Sequence, residues 1–259
     1  MIRFFEEKDK NAVIGLWQEA FGEAEKEILP FLEFINKNML LMEENGEIVS
    51  MLSLLKVKIG EIKGRYVYAV ATDKRFRGRG YASELLRYAK QLIKENNEEF
   101  LVILPQNESL YAFYAKSGFT PLCCAKKISR KIGSASGLKV EKLTPESYFE
   151  LKKTYFSGEK YVEFDIKTLD FMKRAYCGEF LKAERDGKTA GIAFCHKKAD
   201  MLIIHELLAY GDETEIIDAF GTFCKADRVE GIKAQKNGEK FGTICPAHYN
   251  DVYFGLGMQ

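Results

Sequence analysis

The residues best placed to do chemistry lie in one run, Val70-Ala71-Thr72-Asp73-Lys74-Arg75-Phe76-Arg77-Gly78-Arg79-Gly80-Tyr81-Ala82. An apolar strand pattern runs into a glycine-rich basic turn, and an amphipathic helix pattern leaves it. Such a turn aims several backbone N–H groups at one point, and the helix N-terminus adds about half a unit of positive charge. Gly78 and Gly80 let an anion approach the main chain without meeting a Cβ. Arg75, Arg77 and Arg79 add full charges, so the chemistry suits a diphosphate. The run is not a P-loop, because no Gly-Lys-Ser/Thr ending follows. It is not a dinucleotide fingerprint either, because Ser83 stands three positions after Gly80.

A second run follows about thirty residues on: Asn107-Glu108-Ser109-Leu110-Tyr111-Ala112-Phe113-Tyr114-Ala115-Lys116-Ser117-Gly118-Phe119. Asn107 can cap a short helix that Gly118 ends. With both runs in view, residues 1–130 resemble the GCN5-related N-acetyltransferases (GNAT). Arg77-Gly78-Arg79-Gly80-Tyr81-Ala82 is similar to that family's Arg/Gln-x-x-Gly-x-Gly/Ala signature, and the Asn107–Phe119 run looks like its second motif. Val70-Ala71-Thr72 followed by Phe76-Arg77-Gly78 is similar to the tandem acetyltransferases of the enhanced-intracellular-survival type, as is Ile204-His205-Glu206-Leu207-Leu208-Ala209 to their second, degenerate domain. Those proteins carry a further C-terminal sterol-carrier-like domain, which this chain is too short to hold in full.

The resemblance implies acetyl-CoA as co-substrate and an amine as acceptor. It implies that the strand edge at Val70, Ala71 and Thr72 pairs with the pantetheine arm. Backbone N–H groups from Arg77, Gly78, Arg79, Gly80, Tyr81, Ala82 and Ser83 would hold the pyrophosphate, and Asn107 would contact the pantetheine or its linkage. Tyr114 would be the general acid for the departing thiolate, since a phenol titrates near 10. Without the family context, Tyr114 reads as a core aromatic on an amphipathic helix. A group to take the amine's proton is not evident. Glu33, Glu61, Glu206 and the C-terminal carboxylate at Gln259 are candidates, and the strand Arg65–Thr72 carries no acid.

Around these motifs the apolar periodicity predicts helices near 8–21, 28–38, 79–95 and 108–117, and strands at 39–43, 47–55, 65–72 and 100–104. Asn45-Gly46 between two apolar runs predicts a hairpin. The second half repeats this order: helices near 145–155 and 166–176, a hairpin turned by Asp186-Gly187, a strand at 201–209, a helix at 213–226 and a strand at 229–234. The Gly/Ser-rich stretch Lys131–Gly137 predicts a boundary between residues 1–132 and 138–259. The expected fold is α/β with mixed sheets, as two tandem GNAT-type domains of which the second is degenerate.

The chain has 259 residues, with 39 Lys and Arg against 38 Asp and Glu, for a net charge of +1. That balance argues against a protein that coats nucleic acid. No apolar stretch is long enough to span a bilayer. No targeting segment is evident at the start, and six cysteines without framework spacing read as reduced thiols, so a cytoplasmic setting is expected. Cys195-His196 and Cys245-x-x-His248 lack the paired spacing of zinc folds, and no metal is expected. The aromatic set Tyr148, Phe149, Tyr155, Phe156, Tyr161, Phe164 and Phe171 reads as core and cleft wall.

The expected function is acetyl transfer from acetyl-CoA to an amine of a small molecule or protein, by direct attack. Two alternatives stand beside it: a non-catalytic acyl-CoA sensor, and a protein-interaction module carried by the second half. The acceptor and the oligomeric state are left open by the sequence.

Overall fold

The computed structural model describes residues 1–134 and 137–258. The chain forms two compact units, Met1–Pro121 with Thr243–Asn250, and Leu122–Gly242 with Asp251–Gln259.

The first unit contains β1 (Ile2–Phe4), α1 (Lys10–Phe21), α2 (Glu25–Ile35), β2 (Met39–Glu44), β3 (Glu47–Ile59), β4 (Ile62–Thr72), α3 (Tyr81–Glu95), β5 (Phe100–Ile103) and α4 (Glu108–Lys116). The second contains β6 (Thr120–Lys131, from Leu122 on), β7 (Lys139–Leu143), α5 (Pro145–Tyr155), β8 (Glu163–Phe164), α6 (Ile166–Ala175), β9 (Glu179–Arg185), β10 (Lys188–Lys198), β11 (Met201–Ala209), α7 (Glu213–Cys224), β12 (Arg228–Ala234) and the start of β13 (Glu239–Cys245).

Each unit carries a mixed sheet, ordered β1-β2-β3-β4-β5-β13 in the first and β6-β12-β11-β10-β9-β7 in the second. Strands β1 to β4 run antiparallel to their neighbours, and β5 lies parallel to β4. Strands β7, β9, β10 and β11 repeat that pattern, and β12 lies parallel to β11. Helix pairs α1–α2 and α5–α6 and single helices α3 and α7 fall at matching places in the two series, so the expected internal repeat is present as a repeat of topology.

Local chemistry sets the elements that matter for the site. Asn45 and Gly46 both take positive φ (52° and 82°), which fits a two-residue turn to the twist of β2 and β3. Val67 packs with Leu85, Leu86 and Ala89 of α3, whereas the Tyr68 ring meets Trp17 of α1 and Phe31 of α2 at 5.9 and 6.1 Å. Neighbouring strand residues point to opposite faces, so α3 covers one face of the sheet and α1 with α2 the other. Helix α2 starts three residues before the expected Ile28 and contains Pro30. The Ala24 N–H bound to the Glu27 carboxylate at 2.9 Å fixes that earlier start.

The division falls at the start of β6 and not in the Gly/Ser-rich stretch. Ala125–Lys131 pair along their length with β12, which ties them to the second sheet. Gly133 and Ser134 follow inside the second unit, while Ala135 and Ser136 lie outside the described residues. In exchange, Thr243, Ile244 and Cys245 pair with Ile103, Val102 and Leu101 of β5, and Tyr249 donates to Glu99 at 2.7 Å. Each unit's sheet is thus completed by a strand from the other half of the sequence. Periodicity did not signal β13.

A fragment of residues 1–132 therefore lacks the partner of β5, and the buried row Phe100–Ile103 becomes a sheet edge with unpaired backbone groups. The fragment is expected to show no cooperative thermal unfolding by circular dichroism. Addition of a peptide spanning 239–250 is expected to restore part of the transition. A fragment that melts cooperatively alone would contradict the strand assignment.

Candidate active site

The site begins with a register error in β4. Met51 pairs with Ala71 and Ser53 with Tyr68, so β4 holds one residue more than β3 between those pairs. Ala69 takes φ +52°, a conformation that costs an L-residue about 1–2 kcal/mol. This is a β-bulge. Pairing of β4 with β5 runs from Gly64–Phe100 to Val67–Ile103, and no ladder pair follows among the described residues. Past the bulge, β4 has thus separated from β5. The fully buried Ser50 hydroxyl donates to the Ala71 carbonyl at 2.7 Å and lies 2.8 Å from the Thr72 hydroxyl. Of the expected strand edge, Val70 packs on the α3 side of the core, while the Ala71 and Thr72 carbonyls already hold side-chain donors.

The basic turn follows. Asp73 accepts from the Arg75 backbone N–H at 2.8 Å and closes a short 3-10 turn, Lys74–Phe76. Gly78 and Gly80 take φ +80° and +87°, and a Cβ at either would meet no atom within 4 Å. Glycine is needed here for backbone conformation, and the space beside it is open. Gly80 is the N-cap of α3 and has no side chain to satisfy the helix. The first-turn N–H groups of Tyr81, Ala82 and Ser83 have no acceptor among the described residues, and the first bond of the turn is Glu84 N–H to the Gly80 carbonyl. That is an anion cradle by its chemistry.

The three arginines differ from one another, contrary to the sequence expectation of three free charges. Arg75 is bound by Asp73 and Glu47. Arg77 donates from Nε to the Thr72 carbonyl at 3.0 Å. The Arg79 guanidinium lies over the Phe76 ring, 4.9 Å from its centroid, and 3.9 Å from Glu44. Tyr81 hydrogen-bonds Glu44. An open groove of about 610 Å³ between α1 and the β2–β3 hairpin includes Asp73 and Arg75, but not residues 77–83 or Tyr114.

Asn107 caps α4: its side chain accepts from the Leu110 N–H at 3.2 Å and from the Ser109 hydroxyl at 2.7 Å. Tyr114 lies in the last turn of α4, only 4% exposed, in the same apolar cluster as Val70, Leu86 and Tyr81. Burial pushes the phenol well above its ordinary pKa near 10. Its hydroxyl has no hydrogen-bond partner among the described residues. The proton therefore stays on the oxygen across the whole neutral range.

Of the acids named as bases, Glu33 and Glu61 lie in different parts of the first unit. Glu33 is exposed on α2. Glu61 sits at the β3–β4 turn, about 20 Å or more along β4 from the bulge. Gln259 lies outside the described residues. Glu206 is fully buried in the second unit, where it accepts from Lys152 Nζ at 2.7 and 2.8 Å, Tyr253 at 3.0 Å, and the Tyr148 hydroxyl. It occupies the matching bulge of β11: Cys195 pairs with Ile204 and Phe194 with Glu206, which leaves His205 as the extra residue. At the matching helix start, Asp212 accepts from the N–H groups of Thr214 and Glu215 at 2.7 and 3.2 Å, where Gly80 takes none. The expected core role of the central aromatics holds for Tyr148, stacked on Phe180 at 4.4 Å, and for Phe156, stacked on Tyr161 and Tyr253.

The comparisons bear on this geometry. Residues 1–122 match the model of the Acetyltransferase (GNAT) domain family. None of the curated proteins matches the chain. Among solved structures, a probable N-acyltransferase from Enterococcus faecalis V583 is 13% identical, with 94% of this chain and 72% of that one covered and a TM-score of 0.69. A putative acetyltransferase from Pyrococcus horikoshii is 15% identical, with 100% and 94% covered and a TM-score of 0.68. Eis1 from Mycobacterium abscessus is 11% identical, with 89% and 65% covered and a TM-score of 0.59. At these identities the likeness establishes the fold, which is that of the N-acetyltransferases. Residues 1–122, just under half of the chain, are thus similar to the GNAT acetyltransferase domain, and acetyltransferases are among the solved structures that share the fold of the whole chain.

One pair of side chains was not foreseen. His196 Nδ1 and His205 Nε2 lie 2.8 Å apart, although the residues come from separate strands. Desolvation, then the neighbouring His196, holds His205 down to about 3, and burial lowers His196 too. Unfolded histidine titrates near 6.5, so the unfolded chain binds protons that the folded one refuses between about 3 and 6.5. This stability is present above pH 6.5 and is lost as pH falls. The thermal midpoint is expected to drop between pH 7 and 5 by the equivalent of about 2 kcal/mol for His205. His205→Phe should flatten that decline; an equal decline in the variant would contradict it.

Proposed function

We propose that the first unit is an acetyl-CoA-dependent N-acetyltransferase acting on an amine. The observation that carries this reading is the free first turn of α3 under Gly80, directly after a strand that a bulge has parted from its neighbour. Open space at Gly78 and Gly80 and unengaged N–H groups at Tyr81, Ala82 and Ser83 fit a pyrophosphate. The gap past Val67 and Ile103 fits an extended pantetheine arm beside Val70, Ala71 and Thr72, with Asn107 at its far side. The exposed Arg77 adds charge at the turn.

When bound, acetyl-CoA supplies a thioester carbonyl for attack and a thiolate that must leave with a proton. Backbone N–H groups beside the Ala69–Val70 bulge would polarise the carbonyl oxygen. Tyr114 holds the proton that the departing sulfur takes. The amine attacks the thioester carbon directly and gives its proton to solvent water, and the C–S bond then breaks as the sulfur takes the Tyr114 proton, which water replaces, with no acyl group passed to the chain. The second unit is read as degenerate. Asp212 fills its helix start, Glu206 with Lys152 fills its bulge, and no Lys or Arg lies between His205 and Phe223 to offset the acids. A chemically plain test is acetyl-CoA consumption over a panel of polyamines, aminoglycosides, amino acids and peptide amines. Binding without turnover on every amine would favour the sensor reading.

Three outcomes are expected. Calorimetry gives one acetyl-CoA per chain; two, with one site surviving a change at Gly80, would overturn the degenerate reading. Gly80→Asp weakens binding by at least about tenfold, or 1.4 kcal/mol. Gly80→Asn, which tolerates the left-handed backbone without the charge, loses less; equal losses would assign the effect to strain. Tyr114→Phe leaves binding intact and lowers turnover by about 10²–10⁴-fold; wild-type turnover with chemistry rate-limiting would remove Tyr114 from the mechanism.

A further inference from the structure

We propose that Lys90 is a positioning residue for Tyr114, a role that rests on the reading of Tyr114 given above. The phenol has no hydrogen bond of its own among the described residues, so packing and the end of α4 set its direction. The Tyr114 ring meets Phe113 and Phe119 edge-on at 5.1 and 5.8 Å. Its carbonyl accepts from the N–H groups of Ser117 and Phe119 at 2.9 and 3.2 Å, which binds Tyr114 to the turn Ser117-Gly118-Phe119. Gly118 crosses that turn at φ +75°.

Lys90 of α3 reaches all three residues of the turn. Its Nζ donates to the Ser117 carbonyl and sits 5.2 Å from the centroid of the Phe119 ring, and a Cβ at Gly118 would lie 3.7 Å from it. An ammonium at the carbonyl end of a helix is favoured by the dipole and satisfies a carbonyl that the helix leaves open. Here it also clamps the aromatic ring that abuts Tyr114. Lys90 lies about 15 Å along α3 from Gly80 at 1.5 Å per residue, too far to touch a pyrophosphate at the helix start. The same helix thus carries the anion cradle at one end and the support of the proton donor further on.

The test uses the full chain, with the fastest amine of the panel as acceptor and 3-fluorotyrosine placed at residue 114. Lys90→Met is expected to lower kcat about tenfold, less than the roughly 10²–10⁴-fold expected for loss of the acid itself, while KM for acetyl-CoA stays within about twofold. Lys90→Arg keeps a cation and a donor, and should recover kcat to within about threefold. In the Tyr114→Phe background, Lys90→Met should cost less than about twofold more, because its effect passes through Tyr114. The 19F resonance should move or broaden in Lys90→Met and return in Lys90→Arg. An unmoved resonance, or equal losses in both backgrounds, overturns the positioning role. A resonance that moves while Tyr114→Phe keeps wild-type turnover upholds the hold on the ring and fails the acid assignment instead.

Discussion

A strand with one residue more than its neighbour cannot keep both of its ladders in register. In β4 the surplus falls at Ala69, and the two sides of the strand resolve it differently. Toward β3 the pairing resumes at once, because Ser50 takes the Ala71 carbonyl and meets the Thr72 hydroxyl. Toward β5 it does not resume. The sheet therefore opens on one side only, without exposing the core between β2, β3 and α3. Everything assigned to the site depends on that asymmetry, since an evenly paired β4 would offer a ligand no edge. The strain at Ala69 persists because buried neighbours on both faces hold the strand in place.

The second unit shows the same backbone plan with different side chains at the bulge and at the helix start. It repeats the strand order, the bulge and the helix after the strand, but past the bulge its parallel ladder resumes with Leu207 paired to Lys233, so β11 does not part from β12. Asp212 consumes the helix N–H groups, and Glu206 enters the bulge. A buried carboxylate alone would be costly, and Lys152 with the Tyr148 and Tyr253 hydroxyls compensates it. The two helix starts differ in the same way, with Gly80 giving α3 no side-chain cap and Asp212 capping α7.

These contrasts bear on how much could be read from the residues. The hairpin at Asn45-Gly46, the glycines at 78 and 80, and the cap at Asn107 were legible because each depends on its own local conformation. The bulge was not, since Tyr68-Ala69-Val70 carries no turn residue and the surplus exists only relative to β3. Strand β13 and the assignment of β6 were hidden because partner choice over more than a hundred residues leaves no periodic trace. Family resemblance singled out Tyr114, but burial and missing partners are properties of the packed core. The free charge expected of Arg75 failed on Glu47, a neighbour brought close by the hairpin.

Burial raises a question about Tyr114 that its packing also answers. A phenol pushed well above 10 is a weaker acid than free tyrosine, and against a thiol of about 8.5 in water the transfer would run uphill. The comparison with water is the wrong one. The apolar cluster that raises the phenol, Val70, Leu86, Phe119 and their neighbours, would equally penalise a thiolate forming beside it. Desolvation acts on both anions in the same direction, so their difference stays small while each is harder to form alone. On the proposed reading, a sulfur leaving into such surroundings takes a proton as it leaves, and the protonated Tyr114 phenol, which has no hydrogen-bond partner among the described residues, would give it. A carboxylic acid in that place would have to be kept neutral by burial alone, whereas tyrosine is neutral already, which accounts for the residue type as well as its position.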